Sequence, residues 1–162
     1  MTTTLSFEEL FRDQYPSVLR ETMFVLGDRD LAKEVANEAF ARLYARWSRV
    51  SRYDKPGAWV RRVAIRLAVR GHGRQGRETT EVERGHEGDH GLTLDVRGAV
   101  RQLAPQQRAA VMLHYFDDLP LAEVARVLGC REGTVKAHLH QARSRLGNLL
   151  VAYDADADAN CR

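Results

Sequence analysis

The sequence has few of the residues that build cross-links, metal sites or membrane spans. Its 162 residues include two cysteines and four prolines, and no apolar run approaches the roughly 20 residues of a membrane span. Cys130 and Cys161 cannot form a zinc site alone, and we expect both to be unpaired thiols in a reducing compartment. The N-terminus has no basic flank before an apolar core, as a leader would. We therefore expect a cytoplasmic protein that has no contact with a membrane and no metal.

The sequence also lacks strand-length alternation of apolar and polar residues, which predicts an all-α fold. We predict two small helical domains joined by a flexible linker, the second with a helix-turn-helix. The domains span residues 1–70 and 93–152, the polar linker 71–92 holds six glycines, and residues 153–162 form an acidic tail. In the first domain a helix is expected to end at Gly27, with Asp28 capping the next one. The apolar seam of that next helix repeats every four residues, at Leu31, Val35, Ala39, Leu43 and Trp47.

Enzyme signatures are missing as well. The sequence contains no Gly-rich phosphate loop, no nucleophile elbow and no His and carboxylate set at metal-ligand spacing. We therefore predict a protein that is not an enzyme and needs no cofactor.

Positive charge is concentrated in one stretch. Residues 42–70 carry nine basic residues and one acid, a net charge of +8, whereas residues 71–91 carry a net −2. Such segregation favours a polyanion-binding surface. The alternative is an arginine-rich, solvated helix face.

Residues 121–145 have the pattern of a helix-turn-helix. Val124 is apolar, Ala125 is small where a second helix must cross, and Gly129 stands where the first helix must stop. Val135 and Leu139 resume an apolar stripe after the turn. This arrangement places the start of the second helix in a DNA major groove.

The order of helical domain, polar linker and helical domain ending in this motif resembles the extracytoplasmic-function type of bacterial RNA polymerase sigma factor. The segment GDRDLAKEVANEAFARLYARW (27–47) is similar to the family's second conserved region, and KPGAWVRRVAIRLAVR (55–70) to its promoter-melting helix. Residues 103–146 are similar to its fourth region, and RVSRYDKPGAWVRRV (49–63) is similar to actinobacterial members. The chain departs from the family at Asn37, where Gln is usual, and at His138 and Gln141, where Arg is frequent.

The resemblance implies a promoter-specificity subunit that binds core RNA polymerase and helps to separate the DNA strands. An acidic face of one helix would dock on the basic coiled coil of the β′ clamp: Asp30, Glu34, Asn37 and Glu38. The −10 promoter element would meet Arg52, Tyr53, Trp59, Arg61, Arg62, Arg66 and Arg70, which can neutralise phosphates and stack on unpaired bases. The −35 element would be read by Arg131, Thr134, Lys136, His138 and His140, with Arg143 further along on the DNA backbone.

The resemblance also implies the polymerase β flap as a contact and an anti-sigma factor as a further partner, although nothing in the sequence identifies the latter. The backbone N–H groups of Gly133 and Thr134 are expected to be free and to lie near a phosphate.

Several alternatives stay open from the sequence. The runner-up function is a free-standing helix-turn-helix regulator that binds a palindromic site as a dimer, without polymerase. A sigma-like decoy would keep polymerase binding and lose its DNA contacts. Individual site residues also have alternative interpretations. The acidic face could be an ordinary solvated helix surface, and Trp59 could be a core residue. His138 could be a partly buried residue without a role in DNA binding.

Overall fold

A computed structural model describes the backbone of residues 5–75 and 94–159, and the side chains of residues 5–71 and 98–147. Every regular element within these ranges is helical, which confirms the all-α prediction. The chain divides into two compact units, residues 1–83 (unit 1) and 84–162 (unit 2). Most of the predicted linker, and Cys161, lie outside the described residues.

Unit 1 is built from three long helices and one short one. Helix α1 (Phe7–Leu26) is followed by α2 (Arg29–Ala45), α3 (Trp47–Val50) and α4 (Pro56–Gln75). The predicted stop and start between α1 and α2 are confirmed, because Gly27 adopts a left-handed conformation (φ 70°) and Asp28 accepts from the N–H groups of Asp30 and Leu31. Only glycine enters that conformation without a steric cost. The loop thus turns the chain so that α2 packs back on α1.

The core of unit 1 lies between α1, α2 and α4. Its buried side chains include Leu10 and Val18 of α1, Phe40 and Leu43 of α2, and Val60 of α4. Thr22 of α1 is also buried, and its hydroxyl donates to the carbonyl oxygens of Val18 (2.9 Å) and Ala32 (3.3 Å).

The predicted seam of α2 is only partly correct. Ala39 and Leu43 are fully buried, as predicted, but Leu31 and Val35 are only half-buried. The centre of the buried face of α2 lies one residue later, at Ala32 and Ala36. Alanine at the centre of a helix–helix contact lets the two backbones approach closely. The larger side chains beside it then cover the edge of the core. A pattern based on large apolar residues therefore misplaced the centre of the face.

Unit 2 contains α5 (Leu94–Arg101), α6 (Pro105–Val111), α7 (Leu121–Leu128) and α8 (Glu132–Ala159). A short π-helical segment, Met112–Phe116, follows α6 directly. The buried residues of this unit include Leu103, Leu113, Val124, Val135 and Leu139. They come from most of its elements, so unit 2 has a core of its own.

Helix α4 continues to Gln75 and α8 to Ala159, past the predicted boundaries at residues 70 and 152. Extending a helix by one residue costs less free energy than nucleating a new helix, because each residue that is added forms one more backbone hydrogen bond. Four alanines between residues 152 and 159 also favour helix.

Candidate nucleic-acid interface

The helix-turn-helix has the predicted geometry. Helix α7 ends at Leu128 and is followed by Gly129, which is left-handed (φ 70°), and α8 begins at Glu132. Val124, Val135 and Leu139 are buried, and Ala125 is buried where the helices meet. The turn therefore holds α8 with its apolar stripe against α7 and leaves its other side exposed.

The predicted −35 side chains are exposed with one exception. Arg131, Thr134, Lys136, His140 and Arg143 are exposed at the surface of unit 2, whereas His138 is half-buried. Burial lowers the pKa of His138 below its usual value of 6.5, which favours the neutral form of its imidazole. His138 therefore supplies no permanent positive charge at this surface.

The start of α8 offers fewer free donors than expected. The Thr134 N–H donates to the Arg131 carbonyl at 3.0 Å, and the Val135 N–H donates to the same oxygen at 3.2 Å. The expectation that the Thr134 N–H is free for a phosphate is therefore wrong, because Arg131 precedes α8 as its cap residue and its carbonyl already accepts that bond.

Side chains later in α8 are tied to the rest of unit 2. Arg143 donates to the Tyr115 hydroxyl at 3.2 Å, and Arg145 donates to the Gln102 carbonyl at 2.7 Å. Gln141 accepts from Gln107 at 2.8 Å. These three contacts fix the orientation of α8, and sequence reasoning missed them because their partners lie far away in the chain.

Three acidic residues and one asparagine of α2 lie together on its exposed surface, and two of them also contact other side chains of unit 1. Asp30, Glu34, Asn37 and Glu38 are all exposed. Glu38 accepts from Arg42 at 2.7 Å, and Asn37 accepts from the Tyr15 hydroxyl at 3.0 Å. We call these four residues the acidic face.

A groove runs between α2 and α4 on the basic side of unit 1. Its cavity of about 220 Å³ is lined by Arg42, Arg46, Trp59, Val63, Arg66, Leu67 and Arg70. Trp59, Arg66 and Arg70 were predicted individually as DNA contacts. Arg42 of α2 and Arg46, the residue that caps the end of α2, belong to the predicted basic stretch but were not named individually. Their signal in the sequence was their spacing of four residues within the basic stretch, which places both on one side of the end of α2. We call this site the α2/α4 groove.

The other predicted −10 residues are placed differently. Arg52 and Tyr53 are exposed in the loop that joins α3 to α4, and Arg62 is half-buried on α4. Arg61 points to α1, where its Nη2 lies 2.5 Å from Oε1 of Glu21, a residue that is only 8% exposed. Arg61 thus has an internal partner that the sequence pattern did not indicate.

No helix in the described part of the chain is long and apolar enough to cross a membrane. Within the same residues, no group of three or more His, Cys, Asp or Glu side chains is placed to hold a metal ion. Cys130 is a free, half-buried thiol, and burial raises its pKa.

Comparison with known proteins agrees with both units. Residues 10–78 match the family model "Sigma-70 region 2", and residues 93–146 match "Sigma-70, region 4". The RNA polymerase sigma-E factor of Streptomyces coelicolor is 32% identical, over 98% of this chain and 94% of that protein. The chain belongs to the sigma-70 family.

Other relatives refine this assignment to the extracytoplasmic-function type. The ECF RNA polymerase sigma factor SigW of Bacillus subtilis is 26% identical over 78% of this chain and 79% of its own length. The fold matches the sigma factor RpoE of Bartonella quintana, solved with the anti-sigma factor NepR, with a TM-score of 0.71 and 22% identity, over 89% of this chain and 96% of that one. As a sigma factor, the chain binds core RNA polymerase and recognises promoter DNA.

Proposed function

We propose a division of labour in which unit 1 docks on core polymerase and opens the −10 element, while unit 2 binds the −35 element. The observation that carries this proposal is the α2/α4 groove, a cavity lined by four arginines together with Trp59, which also packs against the core of unit 1. Arginines bind phosphates without regard to sequence, and an aromatic ring accepts an unstacked base. Tyr53, which is 40% exposed in the adjoining loop, offers a second ring.

The acidic face supports docking on a basic partner surface. Asp30 is close to fully exposed, with a side-chain exposure of 92%, and its nearest cation, Lys33, is 4.0 Å away. Such a weakly paired carboxylate is available to a partner, and charge complementarity of this kind speeds association and sets orientation. We assign the acidic face to the β′ clamp.

The exposed side of α8 supports contact with the −35 element. Arg131 directly precedes α8, and Thr134 and Lys136 lie in its first turns, where side chains reach base edges in the major groove. Arg143 is already held by Tyr115, so we assign it to the DNA backbone, with its guanidinium oriented in advance.

The protein itself catalyses no covalent step in this proposal, because the polymerase makes the RNA. It acts in the cytoplasm, where polymerase and chromosome meet. An anti-sigma factor is a further partner by analogy with the Bartonella chain, which was solved bound to one.

Transcription in vitro tests the proposal. The full chain is added to bacterial core polymerase and genomic promoter fragments, and strand opening is followed by permanganate reactivity of unpaired thymines. The double variant Arg66→Ala, Arg70→Ala is expected to retain polymerase binding and lose most strand opening. Arg12→Ala, a charge loss on the exposed surface of α1, is the matched control and should behave as the wild type.

The other outcomes identify the alternatives. Stable polymerase binding with no transcript from any fragment would support a decoy. Binding of a palindromic site as a dimer, with no polymerase binding, would support a free-standing regulator and refute the proposal.

A further inference from the structure

Two consecutive hydrogen bonds link the start of α6 to the exposed side of α8. The backbone N–H of Ala104 donates to Oε1 of Gln107 at 3.1 Å, and Nε2 of Gln107 donates to Oε1 of Gln141 at 2.8 Å. Gln107 is only 7% exposed, whereas Gln141 is exposed. We call Ala104, Gln107 and Gln141 the glutamine relay. It runs through a buried side chain and ends at the surface of unit 2.

The direction of the relay is set by its first member. A backbone N–H can only donate, so the atom of Gln107 that it meets must be the amide oxygen. The amide nitrogen of Gln107 then faces Gln141. Because that nitrogen also can only donate, Gln141 must turn its oxygen towards it. A backbone group at the start of α6 thus decides which end of the Gln141 amide points inward.

Gln141 lies on the side of α8 that we assign to the −35 element. It follows Thr134 by seven residues, about two turns further along the same line of the helix, and both side chains are exposed. The buried stripe of α8, which includes Leu139 and Ala142, faces the rest of unit 2 instead. A DNA duplex that meets Thr134 is therefore also within reach of Gln141.

We propose that Gln141 contacts the −35 DNA as a hydrogen-bond donor only, and that the glutamine relay imposes this. The inference rests on the function proposed above. Oε1 of Gln141 is engaged by Gln107, so the N–H groups of its Nε2 are left for the DNA. They require an acceptor, which is N7 or O6 of guanine, O4 of thymine or a phosphate oxygen.

The relay also excludes the usual contact of a glutamine with DNA. An unrestrained glutamine pairs its oxygen and its nitrogen with adenine together, and this pairing needs the oxygen that Gln107 engages. Cytosine presents only an N–H donor in the major groove, which a second donor cannot satisfy. Gln107 does not touch the DNA in this proposal. It is a positioning residue that acts through Gln141 and holds its side chain in one orientation before binding.

Reversing the relay tests the inference. Gln107→Glu supplies a carboxylate that accepts from Ala104 and must also accept from Gln141, so the Gln141 amide turns over and presents its oxygen to the DNA. The full chain is bound to core polymerase, and affinity is measured for a promoter that it transcribes, varied one base at a time in the −35 element. Gln106→Glu is the matched control, because it adds the same charge at an exposed neighbouring position.

The two kinds of acceptor give different results. If Gln141 meets a base, Gln107→Glu should lower affinity about fivefold for guanine or thymine at one position and shift the preference there towards adenine or cytosine. If it meets a phosphate, Gln107→Glu should lower affinity about fivefold for every sequence, and Gln106→Glu by clearly less. In either case the two glutamate variants should bind alike once Gln141→Ala is added to both.

A neutral variant separates the relay from the added charge. Gln107→Met keeps the length of the side chain and releases the Gln141 amide, so its affinity should lie between those of the wild type and Gln107→Glu. Circular dichroism on heating checks that both variants fold.

The inference is wrong if Gln107→Glu binds every promoter as Gln106→Glu does, or if its effect persists when Gln141→Ala is added. The proposed function stands in both cases. A wild-type holoenzyme whose affinity does not change with the −35 sequence would instead refute the −35 part of the proposed function, and the inference with it.

Discussion

Arginines that are neighbours in the sequence have different environments in unit 1. Arg61 pairs with Glu21, whose side chain is 10% exposed, whereas Arg70 is exposed at the edge of the α2/α4 groove. A carboxylate that loses its partner inside a protein is costly, because water cannot replace the lost interaction fully.

We therefore expect Arg61→Ala to destabilise unit 1 by about 2 kcal/mol, less than for a fully buried pair because Arg61 is partly exposed. Arg70→Ala, which removes the same charge, should change stability by less than about 0.5 kcal/mol. Thermal unfolding followed by circular dichroism measures both. Equal melting temperatures for the two variants would show that the pair contributes no stability.

His138 couples the stability of unit 2 to pH. Burial lowers its folded-state pKa below the unfolded value near 6.5, so the unfolded chain binds a proton first as the pH falls. The contribution of His138 to stability is thus complete above pH 6.5 and is lost as the pH falls below it. The unfolding free energy of the wild type should decrease between pH 7 and pH 5, and His138→Gln should remove part of that decrease.

Denaturant unfolding at several pH values measures this effect. His140→Gln is the matched control, since His140 is exposed on the same helix. A pH profile of His138→Gln that coincides with the wild-type profile would contradict the assignment.

At the scale of elements, the turn between α7 and α8 depends on Gly129. Its φ of 70° is strained for any residue with a Cβ. Gly129→Ala should destabilise unit 2 by about 1 kcal/mol. Gly133→Ala, in the first turn of α8, places its Cβ in open space and should raise stability by about 0.5 kcal/mol. Melting temperatures that move in the same direction for both variants would refute this account.

Element boundaries show how far local signals extend. Gly27, Asp28 and Gly129 were predicted correctly as stop, cap and turn, because each acts through its own backbone or its nearest neighbours. Helices α4 and α8 extend to Gln75 and Ala159, past residues 70 and 152 where the predicted domains end, because helix propagation continues through polar residues.

At the scale of the whole molecule, each unit has its own core. Within the described residues, the core cluster of unit 1 consists of side chains between Phe7 and Leu67. Fragments 1–83 and 84–162 are therefore expected to fold separately, each with a cooperative loss of helix on heating. Circular dichroism of the two fragments tests this prediction, and a fragment that melts without a transition would show that its unit requires the other.

The sequence alone determined the helical class, the caps, the helix-turn-helix and the concentration of positive charge, because these features depend on residue type and short spacing. Tertiary structure decided which charged side chains act together. It turned Arg61 towards Glu21, brought Arg42 and Arg46 to the groove of Trp59, and joined Arg143 to Tyr115. Helical periodicity gives the direction of a side chain from its own helix axis, but a partner is set only when two helices pack, and that packing depends on the whole core.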